Sequence, residues 1–159
     1  MNDYLALLQA LTRARVEFVV VGGTAAILHG AATATYDLDV LMRFTLEDCA
    51  RLLTAVGPLH PRFSHTADRR PVQLSPVELS AFKNLYLSTD LGRLDVLGSL
   101  PPVERVDAVF ETAEEMDVGG ALVKVVSLDL LIQVKAAMAR PKDRQVEVEL
   151  RAIAAAQRG

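Results

Sequence analysis

Two acidic residues within an otherwise apolar segment constrain the fold of this chain more than any other feature. Residues 37–42 predict a β-strand in which Asp37 and Asp39 alternate with Leu38 and Val40. Side chains two positions apart in a strand share a face, so both carboxylates project from one side while the apolar side chains enter the core. Neighbouring carboxylates repel each other, and a divalent cation removes that conflict. Taken alone, the pair is equally compatible with a solvated strand end.

A third carboxylate occurs in a similar setting further along the chain. Residues 82–88 and 93–97 flank a segment that ends in Gly92, which predicts a β-hairpin. Asp95 lies in the second of these strands, and a position beside the first pair would complete a cluster of three carboxylates. Such a cluster can hold two metal ions, one at an attacking hydroxyl and one at a triphosphate. Without that proximity, Asp95 is an ordinary strand residue.

A pair of glycines precedes the acidic strand. Residues 18–21 predict a short buried strand, Gly22 and Gly23 end it, and residues 24–29 predict a helix. Glycine lets a phosphate approach the backbone closely, and a helix N-terminus offers unpaired N–H groups. The Thr24 hydroxyl is placed either to cap the helix or to touch a phosphate. A glycine pair alone is more typical of a tight corner.

The remaining elements predict the fold class. Periodicity and capping signals predict four further helices and two further strands. The helices are expected at residues 4–15, 46–56, 128–139 and 143–156, and the strands at residues 109–116 and 122–126. Residues 58–76, rich in proline and basic side chains, predict a long loop with room for one short element. We therefore expect an α/β (α+β) fold, a mixed β-sheet flanked by helices, in one domain over residues 1–159, with a core at about 16–126 and C-terminal helices at about 127–157.

Composition excludes several classes of function. The net charge of -3 gives no sign of a strongly basic face for non-specific nucleic-acid binding, although a local patch stays open. Cys49 is the single cysteine, so an intrachain disulfide and a multi-cysteine zinc site are excluded. The N-terminus lacks a signal-peptide pattern and the apolar runs are short. We expect a soluble, cytoplasmic protein with no membrane partner.

The glycine pair and the acidic strand together resemble a known signature. Residues 20–26, His29-Gly30 and residues 35–40 resemble minimal nucleotidyltransferases of the polymerase-β superfamily, closest to the group that includes the abortive-infection type toxins. The resemblance implies a nucleotidyltransferase fold, magnesium as cofactor and a nucleoside triphosphate as substrate. It implies that the glycines hold the triphosphate and that the carboxylates bind magnesium and act in catalysis. Carried over, these roles fall on Gly22, Gly23, Asp37, Asp39 and Asp95.

The C-terminal helices add one candidate and two departures from the family pattern. Lys135 lies on a stripe with Leu128, Leu131 and Ile132, where it is either a snorkelling lysine or, as the resemblance implies, a contact to the nucleotide phosphates. Two positions depart from the residues that relatives often carry. They are Thr33, in place of an arginine, and Val146, in place of an acidic residue. Both departures leave catalytic competence open.

Three hypotheses about function follow. The first is magnesium-dependent transfer of a nucleoside monophosphate to a hydroxyl of RNA, protein or a small molecule. The second is a catalytically degenerate protein of the same fold that acts by binding a nucleotide or a partner, for instance in a toxin–antitoxin system. The third is a plain α/β domain with a coincidental acidic pair. Arg62, Arg69 and Arg70 of the long loop are either contacts for an acidic acceptor such as RNA or solvated side chains. The nucleotide, the acceptor and the oligomeric state stay open, and a homodimer is one option.

Overall fold

The computed structural model describes residues 2–159 and contains a mixed sheet of seven strands. The strands are β1 (Phe18–Val21), β2 (Asp37–Met42), β3 (Arg62–Phe63), β4 (Asn84–Thr89), β5 (Gly92–Leu97), β6 (Glu114–Val118) and β7 (Ala121–Val125). Their order across the sheet is β3-β4-β5-β2-β1-β7-β6. The β2–β5 and β1–β7 pairs are parallel, and the other neighbours are antiparallel. The predicted mixed sheet with flanking helices is thus confirmed.

Helices precede, connect and follow the strands. They are α1 (Tyr4–Arg13), α2 (Gly22–Leu28), α3 (Leu46–Val56), α4 (Pro76–Ser80), α5 (Val106–Thr112), α6 (Leu128–Met138) and α7 (Pro141–Arg158). The Asp3 and Thr45 side chains cap α1 and α3 by accepting hydrogen bonds from backbone N–H groups, as their sequence positions predict. Among residues 2–159, no helix is both long and apolar enough to cross a membrane.

The core fixes the orientation of the acidic strand. Leu38 and Val40 are buried, and Leu94 and Val96 of the neighbouring β5 are buried beside them. Burial of such side chains stabilises the fold by roughly 1.5–3 kcal/mol each. Alternate residues of a strand face opposite sides of the sheet. Burial of Leu38 and Val40 in the core therefore places Asp37 and Asp39 on the other face of the sheet.

One predicted strand is wrong in its first half. Residues 109–116 were expected to form a strand because valine and phenylalanine favour extended backbone. The chain instead forms α5 and then the shorter strand β6. Val106, Val109 and Phe110 have the spacing of one helix face, and the last two are buried there. Helical burial of that face therefore outweighs the strand propensity.

Two smaller expectations also need correction. Gly22 and Gly23 belong to the first turn of α2 rather than preceding it, and Thr24 lies inside the helix, so its side chain does not cap the helix. The segment 58–76 is largely a loop with short elements, in agreement with the prediction. It contains the end of a 3₁₀ turn (Gly57–Leu59) and the strand β3, which extends the sheet by pairing with β4.

Candidate functional site

Strand register brings the three predicted carboxylates together. In the parallel pair of β2 and β5, Asp39 lies opposite Asp95, and Asp37 lies opposite Arg93. One oxygen from each of Asp37, Asp39 and Asp95 lies within 4.8 Å of the others. The alternation that places Leu38 in the core therefore also gathers three acidic groups on the opposite face.

The proximity of these acids changes their protonation. Burial raises the pKa of Asp39 to about 7, and the charges of Asp95 and Asp37 add to the effect, while Lys135 opposes it. Burial and the charge of Asp37 also raise the pKa of Asp95, against the opposing charge of Arg93. In the metal-free protein, full ionisation of the cluster is therefore unfavourable near neutral pH.

Two carboxylate oxygens of this cluster are left unpaired. Asp37 Oδ1 and Asp95 Oδ1 are buried and have no hydrogen-bond partner within residues 2–159. Arg93 Nε lies 3.2 Å from Asp37 Oδ1, which is an ion-pair distance, but the atoms are not aligned for a hydrogen bond. Buried polar atoms are almost always satisfied in folded proteins. Hard oxygen donors that are buried, unpaired and mutually repulsive fit a magnesium ion.

Gly22 lies against this cluster and has no room for a side chain. Its φ of +66° is in the left-handed region, and an added Cβ atom would overlap Asp39 Oδ2. Gly23 is also restricted, since its Cβ atom would lie 2.9 Å from Thr35 Cβ. The β1–α2 turn therefore approaches the acidic cluster as closely as backbone can.

Gly22→Ala is expected to lower the free energy of unfolding by roughly 1–3 kcal/mol, because the alanine is strained at this φ and displaces the Asp39 carboxylate. Chemical denaturation measures the change. Gly57→Ala is the matched control, since Gly57 has helical backbone angles and open space around its Cβ position. Equal stability of the two variants would contradict the close approach of Gly22 to Asp39.

A cavity of about 500 Å³ opens beside the cluster, a volume suited to a small-molecule ligand. It is bounded by the β1–α2 turn, the start of β2, the segment after β5, and helices α6 and α7. Its lining consists of Val21, Gly22, Gly23, Thr33, Ala34, Thr35, Tyr36, Asp37, Asp39, Leu97, Ser99, Leu100, Pro101, Val134, Lys135, Met138, Arg140, Lys142, Asp143 and Val146.

Lys135 lies in the wall of this cavity with a buried partner. The lysine is 9% exposed, and its Nζ donates to Asp143 Oδ1 at 3.4 Å. Arg140 Nε donates to Asp143 Oδ2 at 2.6 Å, and Asp143 itself is 1% exposed. Burial alone would raise the pKa of Asp143, but the hydrogen bond from Arg140 and the charge of Lys135 outweigh it and lower the pKa. Lys135 is therefore held in place and is not a snorkelling surface lysine.

Solved structures resemble this fold over nearly its whole length. LnuA, a lincosamide antibiotic adenylyltransferase bound to lincomycin, shares 11% identity at a TM-score of 0.66, with 94% of this chain and 95% of that chain covered. ANT(2″)-Ia in complex with adenylyl-2″-tobramycin shares 15% identity at a TM-score of 0.59, with 98% and 87% covered. TM1012 from Thermotoga maritima, classed as a nucleotidyltransferase, shares 17% identity at a TM-score of 0.55, with 94% of each chain covered. The chain has the nucleotidyltransferase fold. No protein-family model and no curated protein matches its sequence.

Within this nucleotidyltransferase fold, Thr24 and Asp95 are the two candidate residues that do not line the cavity. Thr24 is buried, and its hydroxyl lies 3.5 Å from the Asp37 backbone oxygen. The contact supports the start of β2. Thr33 and Val146, the two departures from the family pattern, both line the cavity.

Sequence reasoning missed two residues of the site. From the sequence, Asp143 is only the first residue of the last predicted helix, although the structure buries it between Lys135 and Arg140. From the sequence, Arg93 is only the first residue of the predicted strand that carries Asp95, although the β2–β5 register places it opposite Asp37. The available signal for Asp143 was its position eight residues after Lys135, but only the packing of α7 against α6 makes that spacing a contact.

Proposed function

We propose that this protein is a magnesium-dependent nucleotidyltransferase that transfers a nucleoside monophosphate from a nucleoside triphosphate to a hydroxyl group. The observation that carries the proposal is the cluster of Asp37, Asp39 and Asp95, with two unpaired buried oxygens, at the edge of a cavity of about 500 Å³. The repulsion among these acids is unexplained by the fold alone, and a bound cation would remove it.

Each candidate residue has a defined place in this proposal. Asp37, Asp39 and Asp95 would hold magnesium, which when bound supplies positive charge to the triphosphate and to the attacking hydroxyl. The backbone at Gly22 and Gly23 faces the cavity, where it would meet the triphosphate. Lys135 would contact a phosphate. Thr24 has a supporting role, since its hydroxyl is directed at the β2 backbone.

The proposed transfer is a single displacement. The acceptor hydroxyl oxygen forms a bond to the α-phosphorus, and the bond from that phosphorus to the oxygen bridging to the β-phosphate breaks. Pyrophosphate leaves with the bonding electrons. The hydroxyl proton passes to a carboxylate, and Asp95 is the candidate because it lies opposite Asp39 on β5, on the side of β2 away from the glycine turn.

Thermal unfolding with a panel of nucleoside triphosphates, each with and without magnesium, tests the proposal. At a ligand concentration about 100 times the Kd, we expect the melting temperature to rise by roughly 5 °C or more, and only when magnesium is present. The triphosphate with the largest shift identifies the substrate. The absence of a shift with every triphosphate would refute nucleotide binding.

A second candidate function is that of a catalytically degenerate protein that binds a nucleotide or a partner, for instance as half of a toxin–antitoxin pair. It is favoured by Thr33 and Val146, which replace an arginine and an acidic residue typical of relatives and which both line the cavity. The resemblance to the abortive-infection type toxins over residues 20–40 is in keeping with such a pair. Incorporation of a labelled nucleotide into any acceptor would exclude this candidate.

A further inference from the structure

The acidic cluster continues across the sheet into a row of polar residues. Strand register aligns Asp37 of β2 with Arg93 of β5, Arg93 with Ser88 of β4, and Ser88 with Arg62 of β3. Residues paired in this way point to the same face of a sheet. Two arginines therefore lie in line with the carboxylates, on the same face, reaching to the edge strand.

A second row lies two residues further along β2, on the same face of the sheet, and carries an aromatic pair. Asp39 aligns with Asp95, and Asp95 aligns with Tyr86 of β4. The His65 ring stacks on Tyr86 with ring centroids 4.1 Å apart and an interplanar angle of 14°. Arg93 Nη2 lies 3.5 Å from His65 Nε2, which connects the two rows. We call this surface, formed by Arg62, His65, Tyr86, Ser88 and Arg93, the β3–β5 platform.

Unsatisfied polar atoms concentrate at the junction of the cluster and the platform. In the described part of the chain, four buried side-chain atoms lack a hydrogen-bond partner: Asp37 Oδ1, Asp95 Oδ1, Arg93 Nε and Ser64 Oγ. Ser64 follows β3, and its N–H donates to the Tyr86 carbonyl, so it extends the second row. Asp95 is 9% exposed. The magnesium proposal accounts for the two carboxylate oxygens, but it does not account for Arg93 Nε or Ser64 Oγ.

The platform and the cavity lie on opposite sides of the carboxylates. The sheet order places β1, with its glycine turn, on one side of β2 and places β5, β4 and β3 on the other. The cavity contains Gly22, Gly23 and Lys135 on the first side and reaches Leu97 at the end of β5, but no residue of the platform lines it. A triphosphate in the cavity thus leaves the platform free for the molecule that supplies the attacking hydroxyl.

We propose that the β3–β5 platform binds the 3′ end of a single-stranded polynucleotide, whose terminal hydroxyl is the acceptor. Two guanidinium groups suit successive backbone phosphates, and the stacked His65–Tyr86 pair suits a base, which is the combination that single-strand recognition uses. Arg62 and Arg93 carry the positive charge that a phosphate backbone complements, and Arg93 is released from its ion pair when Asp37 binds a cation. The inference rests on the proposed nucleotidyl transfer and adds the class of acceptor to it.

Fluorescence anisotropy with short, end-labelled RNA and DNA oligonucleotides of mixed sequence tests the platform. Arg62→Gln is expected to weaken binding roughly three- to tenfold and to reduce its salt dependence, since one phosphate contact is lost. Arg13→Gln is the matched control, because this substitution removes the same charge as Arg62→Gln. Arg13 is exposed at the end of α1, away from the carboxylates. The control is expected to bind as wild type.

A second variant separates base stacking from charge. His65 is exposed, so His65→Ala leaves the fold intact. We expect it to weaken binding of the normal oligonucleotide roughly fivefold or more and to leave binding of an abasic oligonucleotide unchanged.

The outcomes distinguish this inference from the proposed function. Binding of RNA, alone or together with DNA, that weakens in Arg62→Gln and not in Arg13→Gln supports the platform. No binding of either oligonucleotide, or equal losses in the two arginine variants, overturns it. If the wild-type protein binds no oligonucleotide but still gains stability from a triphosphate with magnesium, the platform proposal fails and the proposed function stands.

Discussion

Asp39→Asn is expected to abolish the rise in melting temperature that magnesium and a nucleoside triphosphate give the wild-type protein. Asp39 is on β2, which lies between β5 and β1 in the sheet, and it is opposite Asp95 of β5 and Val21 of β1. Asparagine keeps the shape of the side chain but removes its charge, and a neutral amide oxygen is a poor substitute for a carboxylate as a magnesium ligand. Labelled nucleotide transfer should fall by at least roughly 100-fold, since bound metal contributes several kcal/mol to such reactions.

The same variant has an opposite effect on the metal-free protein. The pKa of Asp39 is about 7 in the folded protein and 3.8 in the unfolded chain. Between these two pH values, Asp39 is therefore protonated in the folded state and ionised in the unfolded state. The free energy of unfolding of the wild-type protein therefore falls as pH rises from about 4 to about 7. Asp39→Asn has no group that titrates at this position, so its free energy of unfolding does not fall for this reason. Above pH 7 and without magnesium, the variant should be more stable by roughly 1–4 kcal/mol, and the difference should vanish near pH 4.

Glu115→Gln provides the control for both measurements. It also converts a carboxylate into an amide on a strand of the same sheet, but Glu115 is exposed on the edge strand β6. We expect it to retain the magnesium-dependent shift and to change stability by less than about 0.5 kcal/mol. Magnesium-dependent nucleotide binding by Asp39→Asn at wild-type strength would show that the ligand site lies elsewhere.

The acidic cluster was predictable because its causes are local or nearly so. Alternation of Asp37 and Asp39 with core residues is a property of one strand, and it requires only that the strand form. Asp95 needed one further assumption, that the hairpin strand β5 pairs with β2, and the register of that pair confirms the proximity. Capping of α3 by Thr45 was likewise readable from a few adjacent residues.

Features that depend on tertiary contacts were not predictable in the same way. The helix α5 occurs where valine and phenylalanine favour a strand, because burial of Val109 and Phe110 overrides local propensity. The ion pair of Arg93 with Asp37 depends on which residue of β5 faces which residue of β2. A shift of register by one residue would turn Arg93 to the other face of the sheet.

Asp143 is the strongest case, because its neighbours in the sequence give no sign that its side chain is buried. Pro141 starts α7 after a two-residue connection from the end of α6, and the two helices pack so that Asp143 returns beside Lys135. A lysine and an aspartate that are each exposed in an isolated helix become buried partners only in that packing. Since Lys135 lines the cavity, the position of its ammonium group depends on Asp143.

Asp143→Asn is therefore expected to lower the free energy of unfolding by roughly 2–4 kcal/mol at neutral pH, because it leaves the charge of Lys135 buried without a partner. The contribution of Arg140 is smaller, since its side chain is 65% exposed and screened by solvent. The folded-state pKa of Asp143 is lowered, so its stabilising effect is present above about pH 3.8 and is lost as pH falls through the folded value. Chemical denaturation across this pH range should show the gap between wild type and variant closing in acid.

Two companion variants decide whether the buried charge is the cause. Glu147→Gln on the same helix breaks the ion pair of Glu147 with the exposed Arg151, whose Nε lies 2.8 Å from Glu147 Oε2. We expect this variant to lower the free energy of unfolding by less than about 1 kcal/mol. Combining Asp143→Asn with Lys135→Met removes the unpaired ammonium group and should restore at least half of the lost stability, because methionine has a similar volume and carries no charge that needs a buried partner. If the double variant is no more stable than Asp143→Asn, the loss comes from the contact with Arg140, and Asp143 anchors the start of α7 instead of positioning Lys135.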